Sequence, residues 1–211
     1  MASTAQRVFL VGLGLALAGA VATWRNLRTA PQPAGEIRTV TEFEERKPLP
    51  AFRLQGTHGE FDNARLRGRW SFVFFGYTQC PDICPTALGL MKDLKSRLAE
   101  NQGAVTPGLT FQVVFVSVDP ARDTPALLTG YMAAFDPGFI GLSGDDAALA
   151  PLVKDLGVFF QRNDATDKKH YTVDHSAAIY LVDPAGRLAA LFSHPQNAER
   201  MAADFVRIAG R

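Results

Sequence analysis

"WSFVFFGYTQCPDICP", Trp70 to Pro85, joins an unbroken apolar run to both cysteines of the chain. Trp70 to Tyr77 is short, β-branched and aromatic, and "RGR" precedes it. Such a run predicts a central strand buried on both faces. The cysteine loop follows directly, and Leu88, Met91, Leu94 and Leu98 then recur on one helical face, with Gly103 closing the helix. Cys80 and Cys84 therefore belong to a loop that leaves the carboxyl end of a strand and opens a helix. Open α/β sheets place their sites there.

Working outward, "LTFQVVFVSVD", Leu109 to Asp119, predicts a second buried strand. Thr124 caps a following helix with Pro125 at its first position, and Leu127, Tyr131 and Phe135 are its expected inner face. Asp145 starts another helix carrying Leu149, Leu152 and Leu156, and Gly157 stands at its left-handed end. Ser176 to Asp183 reads as a strand, "PAGR" as a turn and "LAALFS" as the hairpin partner. Met201, Phe205 and Ile208 mark a last helix. Two strands joined by a helix are parallel, and the last two form an antiparallel hairpin. The expected class is α/β: a mixed central sheet flanked by helices, as in a thioredoxin-like fold.

The chain of 211 residues has room for one such domain, at 48–211, and an appendage. Val8 to Trp24, "VFLVGLGLALAGAVATW", holds no charge, with Arg7 before it and Arg25 and Arg28 after. It predicts an N-terminal transmembrane anchor or signal segment over 1–28. "APQPAG" and "TEFEERK" then mark a linker over 29–47. The formal net charge of +1 argues against a nucleic-acid partner. Two cysteines do not make a disulfide scaffold, so the pair is read for its chemistry.

A helix N-terminus stabilises thiolate, the form that attacks disulfides and the form that ligates metal. Three residues separate the cysteines, one more than in redox motifs of this fold, which widens the bite and lets both sulfurs face one external atom. Of four histidines, His58, His170 and His194 fall in polar loops or at a strand end. His175 precedes a core strand and faces the cysteine loop, where redox enzymes of this fold carry a cis-proline. No proline occurs between His170 and Asp183. Two thiolates and an imidazole form a soft, three-ligand set that selects Cu(I) or zinc. An incomplete, exposed set on an exported domain suits copper that is later handed on, with zinc the alternative.

Three motifs carry a family resemblance: "FFGYTQCPDICPTAL" (Phe74 to Leu88), "VSVDPARDTP" (Val116 to Pro125) and "YTVDHSAAIYLVDPAGRL" (Tyr171 to Leu188). Through them the chain resembles the Sco/SenC copper-binding assembly factors of cytochrome c oxidase. The resemblance implies Cys80, Cys84 and His175 as ligands of one copper ion, Cu(I) or Cu(II). It implies oxidase subunit II, whose CuA centre is matured, as a partner, besides a copper donor and thiol-reductant proteins. Either copper delivery or reduction of the target's cysteines is compatible with it, the second being a thiol–disulfide oxidoreductase role for Cys80 and Cys84. The expected place is the bacterial inner membrane with the domain on the periplasmic side, the mitochondrial inner membrane being the alternative. Asp119, Arg122 and Asp123 are expected to turn the chain and buttress the site. Asp82 caps the helix or tunes the thiolates, and Asp174 either orients the His175 ring or is a surface charge.

Overall fold

The computed structural model describes residues 39–100, 109–163 and 171–210. The apolar segment 8–24, Gly103 and His170 lie outside the described residues. Among the described residues no helix is long and apolar enough to cross a membrane.

The chain runs through β1 (Val40–Glu42), β2 (Arg53–Gly56), β3 (Gly59–Asp62), β4 (Trp70–Gly76), α1 (Ile83–Glu100) and β5 (Phe111–Ser117). It continues through α2 (Pro125–Phe135), β6 (Ile140–Ser143), α3 (Asp146–Asp155), β7 (Phe160–Asn163) and β8 (Thr172–His175). β9 (Ile179–Val182), β10 (Leu188–Phe192) and α4 (Ala198–Ala209) complete it. One sheet has the order β1-β10-β9-β4-β5-β6-β2-β3, and β7 and β8 form a separate antiparallel ribbon. β4 is parallel to β5 and antiparallel to β9. The predicted mixed α/β, thioredoxin-like arrangement is therefore present, with β4 near its middle.

β4 is buried at every residue, which explains its unbroken apolar run. Phe72 lies on the face covered by α4. Its ring centroid is 5.1 Å from Phe205, 5.7 Å from Phe111 and 6.2 Å from Phe192. α4 is capped by Asn197, whose side chain accepts from the Arg200 N–H, and it buries Met201, Phe205 and Ile208 as expected. Thr124 and Asp145 cap α2 and α3, and Gly157 takes a positive φ of 63° after α3.

Three expectations change. Val40–Glu42, assigned to the linker, pairs with β10 and forms an edge of the sheet. The sequence reading contains neither the β2–β3 hairpin nor β6, β7 and β8. The inner face of α2 is Leu128 and Met132, whereas Leu127 is 46% exposed. Leu127 and Leu128 are adjacent apolar residues, so a four-residue spacing fits either stripe. At the opposite end of β4, the β9–β10 turn is organised by Asp183. It accepts from the N–H groups of Ala185 and Arg187 and from the Arg187 guanidinium. Burial pushes its carboxyl upward, but the Arg187 bonds prevail and hold it below the usual range.

Candidate metal centre

Gly76 ends β4, and a Cβ there would lie 2.6 Å from the Cys84 sulfur and 2.9 Å from the Phe115 ring. The missing side chain is the space into which Cys84 packs. Cys84 is in the first turn of α1 and buried, while Cys80 is half-buried in the preceding loop. The Cys84 N–H, free at the helix start, points at Cys80 Sγ from 3.5 Å. Both cysteines are free thiols.

The two sulfurs have different chemistry. The Cys84 thiol, bonded to Cys80, brings the Cys80 pKa down to about 4 against the effect of burial, with the N–H groups of Asp82 and Cys84 adding to it. The same bond, together with burial, pushes Cys84 strongly upward. Cys80 is thus the more acidic thiol of the pair. In the reduced, metal-free chain, Cys80 is expected to be the cysteine alkylated by iodoacetamide, with a rate that falls only as pH drops through about 4. Peptide mass spectrometry across pH checks this. Equal labelling of both cysteines, with a midpoint near the ordinary thiol value of about 8.5, would contradict it.

His175 arrives from the ribbon, as the last residue of β8 opposite Phe160. Its Nε2 is 3.2 Å from Cys84 Sγ. Its Nδ1 is 3.1 Å from the Ser176 carbonyl oxygen. A carbonyl only accepts, so Nδ1 carries the proton and the Nε2 lone pair faces the sulfurs. Phe74 and Tyr77 wall the ring edge-on, each with its centroid 5.9 Å away. One ligand atom from each of Cys80, Cys84 and His175 lies within 4.8 Å of the others. Two sulfurs and an oriented imidazole nitrogen can hold a soft or borderline metal ion; further oxygen donors, which a hard cation requires, are not part of this cluster.

Among the acidic candidates, Asp119 and Asp123 are wholly buried beside the site. Asp123 accepts from the Thr78 N–H at 3.0 Å, the Thr78 hydroxyl at 2.6 Å and the Ser117 hydroxyl at 2.6 Å. It ties the cysteine loop to the end of β5, and burial raises its pKa. Asp119 accepts from Arg122 Nε and from the Tyr171 hydroxyl. Asp82 is exposed at the start of α1. Its carbonyl accepts from the Thr86 N–H at 3.1 Å, and its carboxylate accepts from the Thr86 hydroxyl at 3.4 Å.

Asp174 does not orient His175. It is exposed and pairs with Gln161, and adjacent strand residues point to opposite faces. The Ser176 carbonyl fills that role instead. His58 and His194 are exposed.

The sequence reading also contains no role for Arg162, which fixes the histidine ribbon. Its guanidinium donates to the Val118 carbonyl at 2.8 Å and to both oxygens of Asp146 at 2.7 and 3.0 Å. An arginine alternating with Phe160 in a segment of no clear period carries no signal of this kind in the sequence.

Fold and site together define a thioredoxin-like domain whose cysteine loop has been matched with a histidine rather than with a proline. Residues 41–210 match the SCO1/SenC family model, and the chain belongs to the SCO1/SenC family. A SCO2-like protein of Rickettsia prowazekii (strain Madrid E) is 34% identical over 191 residues, covering 89% of each chain. The copper-bound structure of Bradyrhizobium japonicum ScoI is 35% identical, with a TM-score of 0.66, covering 77% of this chain and 99% of that one. Yeast Sco1 with copper bound is 31% identical, with a TM-score of 0.68, covering 76% and 88%.

Proposed function

We propose that this chain is a membrane-anchored copper chaperone that binds one copper ion through Cys80, Cys84 and His175 and helps assemble the CuA centre of cytochrome c oxidase subunit II. The observation that carries the reading is the convergence of two thiols and one lone-pair nitrogen within 4.8 Å, with Cys84 and His175 91 residues apart in sequence. Soft sulfur favours Cu(I), and imidazole accommodates Cu(II) as well, so the set serves both oxidation states. The half-buried Cys80 leaves an approach for a partner's ligands, as ligand-by-ligand transfer requires. Family membership and the copper-bound ScoI and Sco1 structures support the same cargo. The apolar segment Val8 to Trp24 supplies the anchor in this reading, with the domain on the periplasmic face of a bacterial inner membrane.

A second activity is favoured by one observation: Cys80 has the acidity of an attacking thiol, and Cys84 lies beside it as the resolving thiol. The reduced pair could therefore reduce a target disulfide, Cys80 forming the mixed disulfide and Cys84 displacing the target thiolate as Cys80–Cys84 closes.

The test is copper loading of the reduced full chain, comparing wild type with His175→Ala. Wild type is expected to retain one copper per chain through desalting. His175→Ala, which loses one of the three ligands, is expected to release copper to a chromophoric chelator at markedly lower concentrations. Equal retention by both proteins would remove His175 from the ligand set.

A further inference from the structure

We propose that Arg122 is the positioning residue that holds the cysteine loop and the histidine ribbon at metal-binding distance; this rests on the copper-site reading above. The pairing of β4 with β9 brings the two segments near each other, Phe74 lying opposite Ile179. It includes neither the cysteine loop, which follows β4, nor His175, which ends a ribbon outside the main sheet, so side chains must set the final separation. Arg122, in the connection between β5 and α2, reaches both. Its Nη1 donates to the Gln79 side-chain oxygen at 3.2 Å, one residue before Cys80. The same nitrogen donates at 2.8 Å to the Tyr171 carbonyl, at the entry to β8. Its Nε donates to the buried Asp119 carboxylate, which also accepts from the Tyr171 hydroxyl.

The guanidinium is more than the cation of an ion pair. Its centre lies 3.5 Å from the Tyr171 ring centroid and 5.5 Å from that of Tyr77, the ring that walls His175. The side chain is only 8% exposed, and Nη2 is buried with no hydrogen-bond partner among the described residues. A planar fork can contact a carboxylate, two oxygens from different segments and an aromatic face at once; an ammonium cannot. Arg122 makes no hydrogen bond to any of the three ligands. It acts by setting the geometry that they present before metal arrives, so that binding need not order the ribbon.

The experiment uses the reduced full chain with Arg122→Lys, Gln79→Ala and, as comparator, Arg187→Lys, which weakens the ion pair of the half-exposed Arg187 with the buried Asp183 at the far end of the sheet. Arg122→Lys keeps a cation opposite Asp119 and loses the fork. Its Cu(I) dissociation constant, read by competition with a chromophoric chelator, is expected to rise on the order of 10–100-fold. The imidazole nitrogen coupling in the electron paramagnetic resonance spectrum of its Cu(II) form is expected to weaken, as in His175→Ala. Amide exchange over residues 171–175 of the metal-free protein is expected to accelerate. Gln79 is exposed, so Gln79→Ala tests the loop contact without threatening the fold, with a smaller loss in the same direction. Arg187→Lys is expected to leave all three readouts unchanged.

Wild-type affinity and nitrogen coupling in Arg122→Lys, or a loss no greater than that of Arg187→Lys, would overturn the proposal. Should Arg122→Lys fail to fold, wild-type affinity in Gln79→Ala overturns it. A wild-type chain that takes up no copper would sink the copper reading instead, and the exchange measurement would still decide the role of Arg122.

Discussion

Cys84→Ser is expected to take the chain from one bound copper to none that survives desalting. The serine hydroxyl is a hard, protonated donor where the site offers a soft thiolate, and copper selects the latter. The change also alters the centre of the cluster. The Cys84 backbone N–H faces Cys80 Sγ at 3.5 Å and its sulfur contacts His175 Nε2 at 3.2 Å, so Cys84 is the residue at which the other two donors meet. Fold loss does not confound the result, because serine is no larger than cysteine and fits the space left by Gly76. Circular dichroism of the variant should match wild type while metal analysis finds no copper. Stoichiometric copper in Cys84→Ser would mean that binding occurs elsewhere.

The second large effect is on stability. Phe72→Ala is expected to cost about 3–5 kcal/mol and to lower the melting temperature by roughly 10 °C. Phe72 is 0% exposed and stands at the junction of β4, β5, β10 and α4, with three aromatic rings within 6.2 Å. Its removal leaves a cavity that rings fixed on several elements cannot all close around. The other face of the account is that Phe72 lies toward the strand end away from the cysteines, so copper stoichiometry should persist below the transition. Calorimetry of the metal-free protein checks the first part and metal analysis the second. A change below 1 kcal/mol would show that this aromatic cluster does not hold the core together.

β4 was legible because a strand buried on both faces has little room for polar residues: six of its seven positions are apolar or glycine, and the one hydroxyl, Ser71, is satisfied by Gln112. The cysteine loop was legible for the same reason, since it begins where the run stops. His175 could be found by position relative to the next core strand. The elements that escaped are short and serve other ends. β7, "FQRN", and β8, "TVDH", form a mostly polar ribbon that packs only Phe160 and Val173 against the core and is held in addition by Arg162 and Arg122. Arginine–carbonyl contacts across 44 and 49 residues leave no local period to read. β1 is three residues on a sheet edge, shorter than any alternation can mark.

Asp174 illustrates a different limit. Adjacency to His175 in sequence invites a hydrogen bond, yet strand geometry sends neighbours to opposite faces, and a main-chain oxygen one residue onward holds the ring instead. Main-chain partners are invisible in side-chain identity. Arg122 and the aspartates flanking it were recognisable as a cluster, but only coordinates reveal that Arg122 bridges the segments carrying the two halves of the site.

X-ray absorption at the copper edge on the fully loaded, reduced chain tests the central claim most directly. The account predicts two sulfur scatterers and one nitrogen scatterer of imidazole type around a single copper, with the nitrogen lost in His175→Ala. A shell of two sulfurs alone in the wild type, or one unchanged by His175→Ala, would contradict it.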